Sequence, residues 1–100
     1  MTTFRFRLFL LGQTSRSRNA EEQLRALCAA TLGDHFEIEI IDVSEQPQRA
    51  DAERIVATPT LDRIEPTPRI RVIGDLASRE RLIALLDLPR EALDTPEVST

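Results

Sequence analysis

Apolar and polar residues alternate from the start, with Phe4, Phe6 and Leu8 on one side of an extended chain and Arg5 and Arg7 on the other. From Leu8 to Leu11 both sides are apolar, the pattern of a strand running into a sheet covered on both faces. Gly12 ends it. Residues 13–18 are all polar and predict a loop, after which Asn19 and Glu22 have the spacing of a helix capping box. Ala20, Leu24, Leu27, Cys28 and Leu32 share one helical face and Gly33 supplies a stop, so a helix is expected over 19–32. Phe36, Ile38 and Ile40 then alternate with Glu37 and Glu39, predicting a second strand over 36–43. A helix between two strands makes a βαβ unit, which implies parallel pairing and a right-handed crossover.

The second half carries weaker local signals. Pro47 suits the first turn of a short helix whose apolar residues are Ala50, Ala52, Ile55 and Val56. Pro59, Pro66 and Pro68 fall within ten residues and interrupt backbone pairing. Residues 69–73 alternate as a strand, Gly74 and Asp75 turn the chain, and Ser78 can cap a last helix containing Leu82, Ile83, Leu85 and Leu86. The resulting order, β-α-β-α-β-β-α with Thr58-Pro59 just before the third strand, is the α/β layout of the thioredoxin-like fold. Residues 1–88 are expected to form a single domain, and 89–100, rich in Pro, Asp, Glu, Ser and Thr, a flexible acidic tail.

Composition narrows the function. One hundred residues, 41% of them apolar, support one core. Seventeen acidic residues against thirteen basic ones give a net charge of −4, which argues against a phosphate-neutralising nucleic-acid face. All thirteen basic residues are arginine, whose planar forks suit protein interfaces better than ammonium groups do, although GC-rich coding gives the same bias. Arg5 and Arg7 break the first apolar run, so neither a secretory signal nor a membrane span is expected there, and a single cysteine excludes an internal disulfide. A cytoplasmic location is the expectation.

Catalytic chemistry finds no footing in the residue pattern. A redox enzyme of this layout would carry Cys-x-x-Cys after the first strand, where a helix N-terminus lowers the thiol pKa. Residues 12–18 contain no cysteine, and Cys28 falls on the apolar helix face, where a packing thiol is expected. His35 is the only histidine and has no company at metal-ligand spacing. Glu37 and Glu39 resemble an acid/base pair, but alternate positions on one strand face fit a solvated surface. Gly12, Gly33 and Gly74 are too dispersed to cradle a phosphate. No enzyme activity, cofactor or metal is expected.

Ile41-Asp42-Val43, Pro47, residues 55–61 reading Ile-Val-Ala-Thr-Pro-Thr-Leu, Pro66, Pro68, Ile73-Gly74-Asp75-Leu76 and Leu86-Asp87-Leu88 together resemble the KaiB family across residues 6–88. That resemblance implies a non-enzymatic clock or timer component that binds the ATPase ring of a KaiC-like kinase and modulates its phosphorylation cycle. It also implies two arrangements: a thioredoxin-like, KaiC-binding monomer, and a ground state ordered β-α-β-β-α-α-β that forms a dimer or tetramer. Pro59, Pro66, Pro68, Gly74, Asp75 and Asp87 are then fold-switch positions, and Arg63 and Arg71 partner-binding ones, though both arginines read equally as ordinary solvated side chains. Asn19, Glu22 and Glu39 stand where the family commonly has basic residues, which disfavours a KaiA partner. Two rivals remain: a thioredoxin-like sensor or adaptor domain related to clock histidine kinases, which would precede a kinase, and a vestigial redox protein using Cys28.

Overall fold

In a computed structural model, described over residues 2–74 and 76–89, the chain forms β1 (Phe4–Leu10), α1 (Ser15–Leu32), β2 (Phe36–Asp42), α2 (Pro47–Ala52), β3 (Thr60–Glu65), β4 (Ile70–Ile73) and α3 (Arg79–Leu86). The expected element order holds. Asp75 and the tail from Arg90 onward lie outside the described residues.

The four strands make one sheet in the order β2-β1-β3-β4. The βαβ expectation is met, with β1 and β2 parallel from Phe4 opposite Phe36 to Leu10 opposite Asp42. β3 runs antiparallel to β1 and to β4, with a register shift between Arg5 and Phe6. Alternation sorts the side chains. Phe6, Leu8, Leu61 and Val72 meet Leu24, Leu27 and Cys28 of α1 and Leu82 and Leu86 of α3 in one apolar core. Burial of each such leucine stabilises by about 1.5–3 kcal/mol. Phe9 and Ile41 point to the opposite face and are also fully buried, and Ala50 of α2 is nearly so.

Two boundaries differ from expectation. α1 starts a turn earlier than the Asn19 box, because Thr14 is the N-cap and its Oγ1 accepts from the Ser17 N–H at 3.1 Å. Ser17 is buried through a hydrogen bond, donating from Oγ to the Leu11 carbonyl at 3.2 Å, so hydrophobic periodicity could not register it. α2 stops at Ala52, since Arg54 adopts the left-handed region at φ 56°, and Val56 ends 84% exposed instead of lying on an apolar helix face. The last helix begins as expected, with the Ser78 Oγ accepting from the Arg81 N–H at 3.2 Å. The Thr58-Pro59, Glu65-Pro66 and Thr67-Pro68 peptides are all cis.

Candidate functional site

On the face away from α1 and α3, charge runs in stripes that follow strand order. Arg5 and Arg7 of β1 stand directly across from Glu37 and Glu39 of β2, with Nε to carboxylate distances of 3.6 and 3.3 Å. On the other flank, Arg7 is opposite Asp62 of β3, and Asp62 is opposite Arg71 of β4. Arg71 grips Asp62 bidentately, donating from Nε and Nη2 at 2.7 and 2.8 Å. Opposite charges facing across strands are mutually supporting.

Residues on and just after α2 knit these stripes together. Arg49 donates to both Glu39 oxygens at 2.6 and 3.2 Å. Glu53 accepts from Arg7 at 3.5 Å and from Arg69 at 3.3 Å, and Arg69 lies 3.7 Å from Asp62. A continuous path, Arg49-Glu39-Arg7-Glu53-Arg69-Asp62-Arg71, therefore crosses the sheet. Exposed pairs of this kind contribute only about 0.2–1 kcal/mol each. The Arg71 fork is stronger, because the Asp62 side chain is only 3% exposed. Hydrogen bonding from Arg49, reinforced by the charges of Arg49 and Arg7, holds the Glu39 carboxyl below the usual carboxylate range. Chemically, the face offers rigid guanidinium forks and carboxylates of alternating sign, a surface suited to recognising a polar protein partner.

The end of the sheet, where a thioredoxin-like enzyme keeps its thiols, is built differently. Leu11, Thr14, Arg16, Ser17, Thr58 and Pro59 line a shallow, largely apolar depression. Asp42 braces the neighbouring loops: its Oδ1 accepts from the Gly12 and Ser44 N–H groups and from the Ser44 hydroxyl, which together hold its carboxyl below the usual range, Ser44 contributing most. Cys28 lies far along α1, fully buried, and burial pushes its thiol up to about 12. A thiol so protonated is a packing group. His35 sits between α1 and β2, 3.5 Å from Asp34.

The residues singled out in the sequence are spread over the fold. Pro59 is buried at the start of β3, and its carbonyl accepts from the Gly74 N–H at 2.9 Å, with Gly74 at φ 102°. Pro66 and Pro68 form the β3–β4 turn, and Asp87 caps α3 in the left-handed region at φ 55°. Arg63 and Arg71 occupy opposite faces. Arg71 belongs to the charged face, whereas Arg63 is 3% exposed, so its reading as a solvated side chain is corrected. Glu37 and Glu39 are exposed, as a solvated strand face requires, and each is also paired with an arginine of β1. The unused signal was the matching Arg-x-Arg and Glu-x-Glu alternation in two strands already expected to be neighbours. Arg49, Glu53, Asp62 and Arg69 carried no local signal, since only the tertiary fold brings them together.

A family model described as the KaiB domain matches residues 7–88. The chain is 44% identical over 87 residues to the circadian clock protein KaiB3 of Synechocystis sp., covering 87% of this chain and 85% of that protein. It is 41% identical over 91 residues to the circadian clock oscillator protein KaiB of Synechococcus sp. strain RCC307, covering 91% and 83%. Among solved structures, the N-terminal domain of Synechococcus elongatus SasA superposes with a TM-score of 0.72 at 25% identity, covering 87% and 86%. Chloroplastic thioredoxin z matches in fold, with a TM-score of 0.68 at 20% identity over 85% and 77% of the two chains.

Proposed function

The chain belongs to the KaiB family, and from that premise we propose that it is a non-enzymatic timer component that docks on the ATPase ring of a KaiC-like kinase. The observation that carries this reading is the charged sheet face, cross-braced by ion pairs and crossed by the six-residue α2. Such a surface recognises another protein; it has no nucleophile, and the one thiol is buried and protonated. Arg71, at the edge of that face, is the partner-binding residue the present arrangement exposes, its side chain 32% accessible. Arg63 can reach a partner only after rearrangement.

The thioredoxin-like arrangement is the docking form. The alternative order β-α-β-β-α-α-β, assembled as a dimer or tetramer, is the resting form, with Pro59, Pro66, Pro68, Gly74, Asp75 and Asp87 at the junctions that change. KaiA is disfavoured as a third partner, because Asn19 and Glu22 replace basic residues on α1. Glu39 weighs less in that argument, since Arg7 and Arg49 already neutralise it. No described helix is long and apolar enough to cross a membrane, and a cytoplasmic location fits an ATPase partner.

The likeness to the SasA domain favours one second reading, a sensor or adaptor domain that is always thioredoxin-like. Size-exclusion chromatography with a KaiC-like ATPase, with and without ATP, tests the proposal. Co-elution with the hexamer, together with an oligomer of the chain alone, supports the timer reading. Co-elution with a strictly monomeric free chain supports the adaptor reading, and no co-elution under either condition overturns both.

A further inference from the structure

Arg63 is a buried charge doing the work of a fastener. It projects from β3 into the core side of the sheet, 3% exposed, in a strand position paired with Phe6 and Ile70. Its Nη1 donates to the Leu86 carbonyl and its Nη2 to the Pro68 carbonyl, both at 2.7 Å. Nε has no partner. A guanidinium cannot shed its proton, so burial is tolerable only while both carbonyls are in place.

The two carbonyls belong to elements that are otherwise separate. Leu86 is the last residue of α3, and its carbonyl is among those a helix leaves without an internal partner. No basic residue lies in the last turn of α3, so Arg63, 23 positions earlier in sequence, supplies the positive charge that a helix C-terminus favours. Pro68 lies in the turn between β3 and β4. If either element leaves, the guanidinium loses an acceptor and must be hydrated, which opens the site to water and weakens its hold on the other. Cooperation between α3 and the turn follows from one side chain.

We propose that Arg63 is a latch: it couples α3 to the β3–β4 turn, so that α3 and β4 detach from the core as one unit while β1, α1 and β2 stay folded. Its use in partner docking rests on the two-arrangement reading above, but the latch itself needs no partner to be tested. The experiment is amide hydrogen exchange on the full chain, comparing wild type, Arg63→Met and Arg63→Lys. In wild type, the slowest amides of Ile70–Ile73 and Arg79–Leu86 should share one protection level, below that of β1 and β2. In Arg63→Met both segments should lose protection together by about tenfold or more, as removal of a charged buried donor implies, with β1 and β2 unchanged. Arg63→Lys, a point charge without the fork, should fall between.

A loss confined to α3, a loss spread equally over every strand, or no loss at all would overturn the latch. Should Arg63→Met fail to fold, the wild-type comparison and Arg63→Lys still decide, because unequal protection of the two segments in wild type contradicts coupling. Failure of the chain to bind an ATPase ring would remove the docking reading and leave the exchange result standing.

Discussion

β1, α1 and β2 meet through a seven-residue parallel ladder whose register never slips, and α1 is eighteen residues long with a Thr14 cap at one end and Gly33 at the other. β4, by contrast, has four residues, α3 has eight, and the strand that joins them to the rest shifts register against β1. The first half is fastened chiefly by apolar burial, with Leu24, Leu27 and Cys28 fully or nearly fully enclosed. The second relies more on directional polar contacts: the Arg63 fork on two carbonyls, the Arg71 fork on Asp62, the Ser78 cap and the left-handed Asp87. Apolar burial has no substitute in water, whereas each of those polar contacts does. One chain thus joins a long, regular half to a shorter half that adds directional polar contacts to its share of the apolar core.

The sharpest way to break this comparison is to make the same cavity in each half. Leu24→Ala and Leu82→Ala should each destabilise by about 2–5 kcal/mol. Leu24→Ala is expected to lower the urea midpoint for the whole chain, while Leu82→Ala should strip amide protection mainly from β4 and α3. Equal losses in β1 and β2 for both variants would erase the distinction.

Next in size is the charged fork. Arg71→Ala leaves the buried Asp62 carboxylate with the longer 3.7 Å pair to Arg69 among the described residues, and a loss of about 1–3 kcal/mol is expected in urea titrations. Removing both partners in Arg71→Ala with Asp62→Ala should be milder than removing Arg71 alone, because no buried charge is then stranded.

Helix capping sharpens the picture of the first half. Thr14→Ala should cost about 1 kcal/mol and Thr14→Ser much less. Asn19→Ala should be close to neutral, since Asn19 is an exposed interior residue of α1.

Acid gives the smallest effect. The folded Glu39 carboxyl is more acidic than its unfolded counterpart, so its pairing stabilises the fold above the unfolded value and that contribution is lost as pH falls through the folded one. Its half-exposed side chain keeps the effect small. Urea midpoints should fall below about pH 4, and fall less steeply in Glu39→Gln.

Apolar periodicity carried most of the fold: the strand alternations at Phe4 and Phe36, the Leu24-Leu27-Cys28 helix face, and the Ser78 start of α3 are all legible without coordinates. It failed where polar atoms do the fastening. Ser17 is buried by a hydrogen bond to Leu11, and Arg54 ends α2 by adopting a left-handed backbone. The interaction face was half legible, because the Arg-x-Arg and Glu-x-Glu rows are visible in sequence, but Glu53 and Arg69 join them only through the fold. Arg63 looked like any surface arginine, since its acceptors are backbone carbonyls 5 and 23 positions away.

In the proposed function, this chain docks on an ATPase ring through an arrangement it adopts only part of the time. If the resting form holds about 99% of the chain, apparent affinity falls by the hundredfold that a binding-competent fraction of about 1% implies. Stopped-flow association with a KaiC-like hexamer, at rising hexamer concentration, measures the gate directly. The observed rate should level off at the rearrangement rate of the free chain. A rate that climbs linearly without a plateau, or no association at all, would contradict it.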